Sequence, residues 1–274
     1  MGPFLQGALP VLLLAYIYYP SFVWMAERWF AKDSYYTHGI LIPFVSLYWI
    51  FRKRDELAAA PKTSEPWGLI ILGSGALLQI ACSILRIYFL SVFSLVLILA
   101  GTVVFVFGRK VFRVIWFPLL FLVLMIPLPL LAISEITLKM KFFVAEVSAY
   151  LINQTGMEAV REGSYLRTPH AVLLVGDPCS GLRSFLTFMC LGLVFAYQGR
   201  FPFWKRLIVV ASGLPLAILS NVARVYFLGL IGEIYGQQYT QGTIHDVSGW
   251  GVFILAFFAL VWITHQLEKP HVKN

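Results

Sequence analysis

Charge is what this chain has least of. Only 12% of its residues are Asp, Glu, Lys or Arg, 59% are hydrophobic, and the mean hydropathy is +0.81. Soluble domains carry roughly a quarter charged residues, so this composition excludes a soluble globular protein and points to a chain that crosses a bilayer several times. Cysteine is also scarce. Three residues (Cys82, Cys179, Cys190) with no Cys-x-x-Cys spacing exclude a disulfide framework and a dithiol redox pair. His-Glu-x-x-His, a glycine-rich phosphate loop and a serine-centred elbow are all missing. No internal repeat or low-complexity tract divides the chain, which is expected to form one domain over residues 1–274. No basic stretch precedes the first apolar run and no small-residue cleavage site follows it, so that run is expected to be a retained span.

What is present is a series of long apolar runs. Eight spans are expected, at about 4–25, 38–51, 67–85, 87–107, 111–131, 182–199, 207–231 and 249–267. The fold class is therefore an all-α polytopic transmembrane helix bundle. The connecting segments then fix orientation. Arg52, Lys53, Arg54, Lys62, Arg109, Lys110, Arg113, Arg200, Lys205, Arg206, Lys269 and Lys273 fall on alternate loops and the tail, with only Asp55, Glu56, Glu65 and Glu268 among them. That face carries the whole net charge of +8. The asymmetry fits the positive-inside rule with both termini cytoplasmic, so the basic excess is a topology signal and not a nucleic-acid site. One stretch departs from the pattern. Residues 132–181 lie on the outer side, and 133–153 intersperses Glu135, Lys139, Lys141 and Glu146 among apolar groups, as in a helix lying in the interface. Residues 157–176 hold Gly163, Pro169 and β-branched residues, and are expected to form a short hairpin or extended loop before the sixth span.

Reactive side chains gather at the end of that outer segment. Cys82 and Cys190 sit inside apolar runs, as packing thiols do. Cys179 instead lies in Gly176-Asp177-Pro178-Cys179-Ser180-Gly181-Leu182-Arg183, where a polar turn meets the next helix. Unpaired backbone N–H groups and the positive end of a helix dipole favour thiolate there, making Cys179 a candidate nucleophile. Arg224 lies within the outer half of the seventh span. A guanidinium in an apolar span costs at least about 2.5–3.5 kcal/mol on insertion scales, so it faces protein or water and has a partner. Glu162, Asp177 and Glu233 are the acids available to a purely structural ion pair. Against that stands a functional role, a fixed cation beside a developing oxyanion. Asn221 shares its helix face three residues earlier. His245 is expected in the outer loop before the eighth span, next to Asp246, where an imidazole can shuttle protons. Arg183, four residues after Cys179, and His38, at the outer start of the second span, are supporting candidates. His38, His170, His245 and Cys179 are scattered in sequence, and no metal or other cofactor is expected.

Taken together, Cys179-Ser-Gly-Leu-Arg183, Asn221-Val-Ala-Arg224 and His245-Asp-Val-Ser-Gly249, with Tyr36-Thr-His38-Gly39 and Glu162-Gly163 upstream, resemble the exosortase/archaeosortase family of membrane transpeptidases, in the bacterial form. The resemblance extends from residue 33 to about 260. It implies Cys179, Arg224 and His245 as a catalytic triad, with Asn221, Arg183, His38 and Glu162 in the matching motifs; Asp177, beside the cysteine, is a further supporting candidate. Its implied substrates are membrane-anchored proteins with a C-terminal sorting signal: a Pro-containing motif, one transmembrane helix and a basic tail. The implied location is the bacterial plasma membrane, with the site on the periplasmic or extracellular side and an unidentified acceptor amine. Asp177-Pro178 directly before the cysteine departs from the family pattern, and the chain is expected to carry no fused accessory domain. Two other classes remain open: a transporter in which Arg224 holds an anionic substrate, and a non-catalytic subunit of an exopolysaccharide export system. A transporter calls for polar groups in both leaflets, whereas here those within spans cluster outward.

Overall fold

The computed structural model describes residues 3–32, 34–176 and 181–268. It is about 79% helical, with strand confined to one small sheet. Among the described residues, five segments are long and apolar enough to cross a membrane: Leu9–Trp29, Gly68–Leu85, Tyr88–Met125, Phe203–Tyr235 and Thr243–Glu268. The expected all-α polytopic class is thus seen. The chain falls into two compact units, Met1–Pro129 and Leu130–Asn274.

The first unit contains α1 (Pro3–Trp29), a 3-10 turn at Thr37–Leu41, α2 (Ile42–Arg52), α3 (Arg54–Ala59), α4 (Gly68–Leu85) and α5 (Tyr88–Phe121). Helices α4 and α5 form a tight pair because glycines let the backbones approach. A Cβ on Gly68 would stand 2.4 Å from the Phe105 amide, and one on Gly101 would stand 2.5 Å from that of Leu72. Helix α5 as a whole would span about 50 Å at 1.5 Å per residue, well beyond a hydrocarbon core of about 30 Å. Gly108 resolves the excess. Its φ of 84° and ψ of 173° break the helix, at a point where a Cβ would lie 2.1 Å from the Thr63 carbonyl. Beyond the break, the Glu65 carboxylate accepts the Arg109 amide at 3.0 Å and the Trp67 indole N–H. These two donors, the indole first, hold the Glu65 carboxyl below its ordinary range. The expected fifth span shortens at its far end, since α5 gives way to a 3-10 turn at Leu122–Met125 before Pro127 and Pro129.

Inside this unit a neutral network ties three helices together. Tyr18 Oη and Ser94 Oγ are 2.6 Å apart, and Ser21 Oγ and Ser91 Oγ are 2.7 Å apart. Both Ser91 (2.7 Å) and Ser94 (3.1 Å) donate to Gln79 Oε1. All five side chains are buried.

The second unit starts with α6 (Leu130–Asn153), followed by β1 (Val160–Glu162), β2 (Tyr165–Arg167) and β3 (Val172–Leu174), then α7 (Leu182–Gln198), α8 (Phe203–Ala211), α9 (Gly213–Tyr235) and α10 (Thr243–Glu268). The strands form an antiparallel meander in the order β1-β2-β3, where a hairpin or loop was expected. Helix α6 is amphipathic. Val144, Ala145, Ala149 and Ile152 join Leu166 and Leu173 of the sheet and Val222, Val225 and Leu228 of α9 in one core, while Glu135, Lys139 and Glu146 stay exposed. A second apolar cluster joins Phe188 of α7, Ala217 of α9, and Ala256 and Leu260 of α10. Helix α9 therefore runs through the centre of the unit, between the sheet side and the α7–α10 side. The expected seventh span divides at Ser212 into α8 and α9.

Candidate active site

Two residues three apart on α9 organise the site. Asn221 and Arg224 are both buried, at 5% and 8% exposure. Each looks toward a different neighbour. The Arg224 guanidinium reaches the first turn of α10, where Nη2 donates to the His245 carbonyl at 2.9 Å. The same nitrogen stands 3.1 Å from His245 Nε2 and 3.2 Å from Nδ1, so it is not in line with one lone pair. His245 Nδ1 is also 3.2 Å from Asp246 Oδ1. When Nδ1 carries the proton and donates to Asp246, Nε2 presents its lone pair toward the guanidinium. The imidazole is 24% exposed and the Asp246 carboxylate 76%, so the pair joins a buried cation to a ring that solvent or substrate can reach.

His245 was expected in a loop; it stands on a helix instead, because α10 begins at Thr243. That difference accounts for the close approach. Gly249 lies one turn after His245 on the same face, and a Cβ there would stand 3.0 Å from both Cζ and Nη2 of Arg224. The absent side chain is the space the guanidinium occupies. Ser248 Oγ adds a second donor to the His245 carbonyl at 2.8 Å. The oxygen that fixes Arg224 is thus itself held in place.

Asn221 looks the other way, toward the start of α7. Gly181 there has φ 80° and ψ −10°, a left-handed conformation that lets the chain turn into the helix. A Cβ on Gly181 would lie 3.3 Å from Asn221 Nδ2 and 3.4 Å from Met140 Cε of α6. Cys179 and Asp177 lie outside the described residues. Gly181, two residues after Cys179, is the described position nearest to it in the chain. Arg183, in the first turn of α7, is half-buried, and its Nε and Nη2 have no hydrogen-bond partner among the described residues.

Of the three acids weighed as ion-pair partners for Arg224, Glu162 and Glu233 bond to other residues, and Asp177 lies outside the described residues. Glu162 on β1 accepts from Arg167 Nη2 at 3.0 Å. Glu233 pairs with His170, with Oε1 2.6 Å from Nδ1 and Oε2 accepting the His170 amide at 3.0 Å. That clasp ties the β2–β3 turn to the far end of α9. His38 belongs to the first unit, on the turn Thr37–Leu41, with its ring 6.0 Å from that of Tyr36. Among the described residues no group of three or more His, Cys, Asp and Glu could hold a metal.

Two residues of this arrangement escaped the reading of the sequence. Gly249 counted only as the end of a motif, although its spacing of four from His245 is the signal for a shared helix face. Met140 had no signal, since its approach to Gly181 depends on how α6 packs on α9.

A family model described as a transmembrane exosortase matches residues 24–262. No curated protein and no solved structure matches the chain.

Proposed function

The chain belongs to the transmembrane exosortase family, and from that premise we propose that it is a membrane-embedded cysteine transpeptidase that removes C-terminal sorting signals from exported proteins. The observation that carries this reading is the pairing of buried Arg224 with the partly exposed imidazole of His245, one turn along α9 from Asn221, which meets Gly181 before α7. A guanidinium held by the His245 carbonyl and beside its imidazole puts a fixed cation where an oxyanion can develop.

In the proposed reaction the Cys179 thiolate attacks the scissile carbonyl carbon, and Arg224 stabilises the oxyanion that results. His245, protonated on the nitrogen that faced Arg224, gives its proton to the leaving amine as the C–N bond breaks. The product is an acyl-thioester on Cys179. An acceptor amine or water then loses a proton to His245 and attacks the thioester, restoring the thiolate. Asp246 orients the ring and Asn221 holds the turn that follows Cys179. Eight crossings are assigned to this machine: α1, the turn at Thr37–Leu41 with α2, α4, the two halves of α5, α7, α8 with α9, and α10. Both termini then lie in the bacterial cytoplasm and α6 rests at the outer interface, beside the site. The substrate's own helix lies among these spans in the plasma membrane.

The test is co-expression with an exported protein that ends in a Pro-containing motif, one apolar helix and a basic cluster. Cys179→Ala and Cys179→Ser should leave it full-length in the membrane, and the wild-type chain should yield an acyl-enzyme that hydroxylamine releases. Processing by Cys179→Ala at the wild-type rate overturns the reading, as a transporter or a non-catalytic subunit tolerates both changes.

A further inference from the structure

The small sheet has two edges, and they differ. β1 closes one side with Arg161 and Glu162, which pair with Glu146 and Arg167. Charge on an edge strand guards it against pairing with another chain. β3 closes the other side as Val172-Leu173-Leu174, with neither charge nor proline. Leu173 is packed into the core against α9, while Leu174 is 51% exposed.

Register determines which backbone groups that edge offers. The Val175 amide donates to the Ser164 carbonyl and the Thr168 amide to the Ala171 carbonyl, both at 2.9 Å. Both pairs share the register that sets Leu166 opposite Leu173. Bonded pairs alternate along an antiparallel ladder, so Ala171, Leu173 and Val175 face β2, and Val172 and Leu174 turn their N–H and C=O groups outward. The Leu174 carbonyl accepts the Gly176 amide at 2.9 Å. That leaves the Val172 N–H, the Val172 C=O and the Leu174 N–H, none of which has another hydrogen bond among the described residues.

The edge is held in place and leads to the site. The His170–Glu233 clasp fixes its start. A Cβ on Gly232 of α9 would lie 2.9 Å from Ala171 Cβ and 2.7 Å from Thr240 Cγ2, on the segment that continues into α10 and His245. At the other end, Cys179 follows Leu174 by five residues, at most about 17 Å of chain, and α7 begins at Leu182. Strand, cysteine and helix thus follow in the order of a substrate's own extended segment, scissile bond and apolar helix.

We propose that β3 is the docking edge for the substrate backbone, which adds to the sheet as a parallel strand. The substrate residue opposite Leu173 donates its N–H to the Val172 carbonyl and accepts the Leu174 N–H, and the carbonyl two residues earlier accepts the Val172 N–H. Counted along β3 to Cys179, that residue stands about six before the scissile bond. Recognition through the backbone is indifferent to side chains, so one edge serves exported proteins of different sequence. The inference rests on the transpeptidase reading and adds how the segment ahead of the cut is held.

The test uses the full chain in liposomes and a synthetic peptide-helix substrate, N-methylated in turn at each of eight residues before the scissile bond. N-methylation of the residue opposite Leu173 should raise KM about fivefold, as loss of one hydrogen bond does, while its two neighbours, whose N–H groups face away, stay within about twofold. Val172→Pro removes an edge N–H that β2 does not use, so it should raise KM about fivefold and leave kcat and alkylation of Cys179 by iodoacetamide unchanged. A scan that is flat, or that loses cleavage equally at consecutive residues, overturns the inference and leaves the transpeptidase standing. So does a Val172→Pro chain that cleaves like the wild type but loses a wild-type dimer, which assigns the edge to a second copy. Cleavage of no peptide by the wild type, methylated or not, sinks the transpeptidase reading and the docking edge with it.

Discussion

The two units bury polar groups among apolar helices in opposite ways. In the first, Tyr18, Ser21, Gln79, Ser91 and Ser94 are neutral, fully enclosed and satisfied by one another. The hydroxyls meet one another and the Gln79 oxygen across helices, and the Gln79 amide donates to Ser83 on its own helix at 3.3 Å, so the network closes on itself. In the second, a buried cation meets an imidazole that is 24% exposed and an aspartate that is 76% exposed. Polarity graded from inside to outside is what chemistry on an incoming chain requires. A closed neutral network holds helices together; a charged one that opens to solvent has work beyond holding. Hydrophobicity alone does not separate the two regions, since both interrupt apolar runs. What separates them is where the last unshared proton or lone pair points.

The contrast can be broken experimentally. The largest effect is expected from the open system: His245→Ala should lower turnover by about 10²–10⁴ and Arg224→Gln by about 10²–10³. Arg224→Lys should not recover activity, because a compact, strongly hydrated ammonium does not reproduce the planar guanidinium that packs against Gly249. Since the two residues touch, the double variant should lose much less than the product of the single losses. Steady-state cleavage assays read all four, and full multiplicative loss would mean that they act apart. A smaller effect tests the shape of the contact. Gly249→Ala places a methyl 3.0 Å from Nη2, so turnover should fall about tenfold while the melting temperature in detergent barely moves. A collapse in melting temperature would instead assign Gly249 to helix packing. The smallest change in activity belongs to the closed network. Gln79→Leu should leave turnover within about twofold and lower stability by about 1 kcal/mol, as membrane hydrogen bonds do. Loss of cleavage in Gln79→Leu would erase the distinction.

Much of this was legible in the chain. Runs of apolar residues marked the helices, and Gly68 to Leu85 was placed within a residue at its start. The coincidence of Arg224 and His245 followed from their positions near the same ends of neighbouring spans. Their mutual contact did not, because it depends on α10 starting at Thr243 and on the gap at Gly249. Polar residues such as Gln241 and Thr243 read as loop, yet the helix begins among them once His245 has a partner to pack against. The kink inside α5 was legible only as a gap between two spans. The link between α6 and the start of α7 was not legible at all, since Met140 meets Gly181 through tertiary packing that no periodicity encodes. Cys179 and Asp177, the centre of the motif, lie outside the described residues, so the site is known here through its neighbours.

Because the two halves of α5 meet at a single glycine, there is no loop between them to edit. A reporter, tag or protease site inserted between Phe107 and Arg109 would pull the Arg109 amide off Glu65 and push a side chain against the Thr63 carbonyl. Topology mapping by fusion should therefore use a site such as the exposed turn at Gly156 between α6 and β1, where a Cβ would meet nothing within 4 Å. A silent reporter at residue 108 would reveal a broken insertion product and say nothing about which side of the membrane that turn occupies.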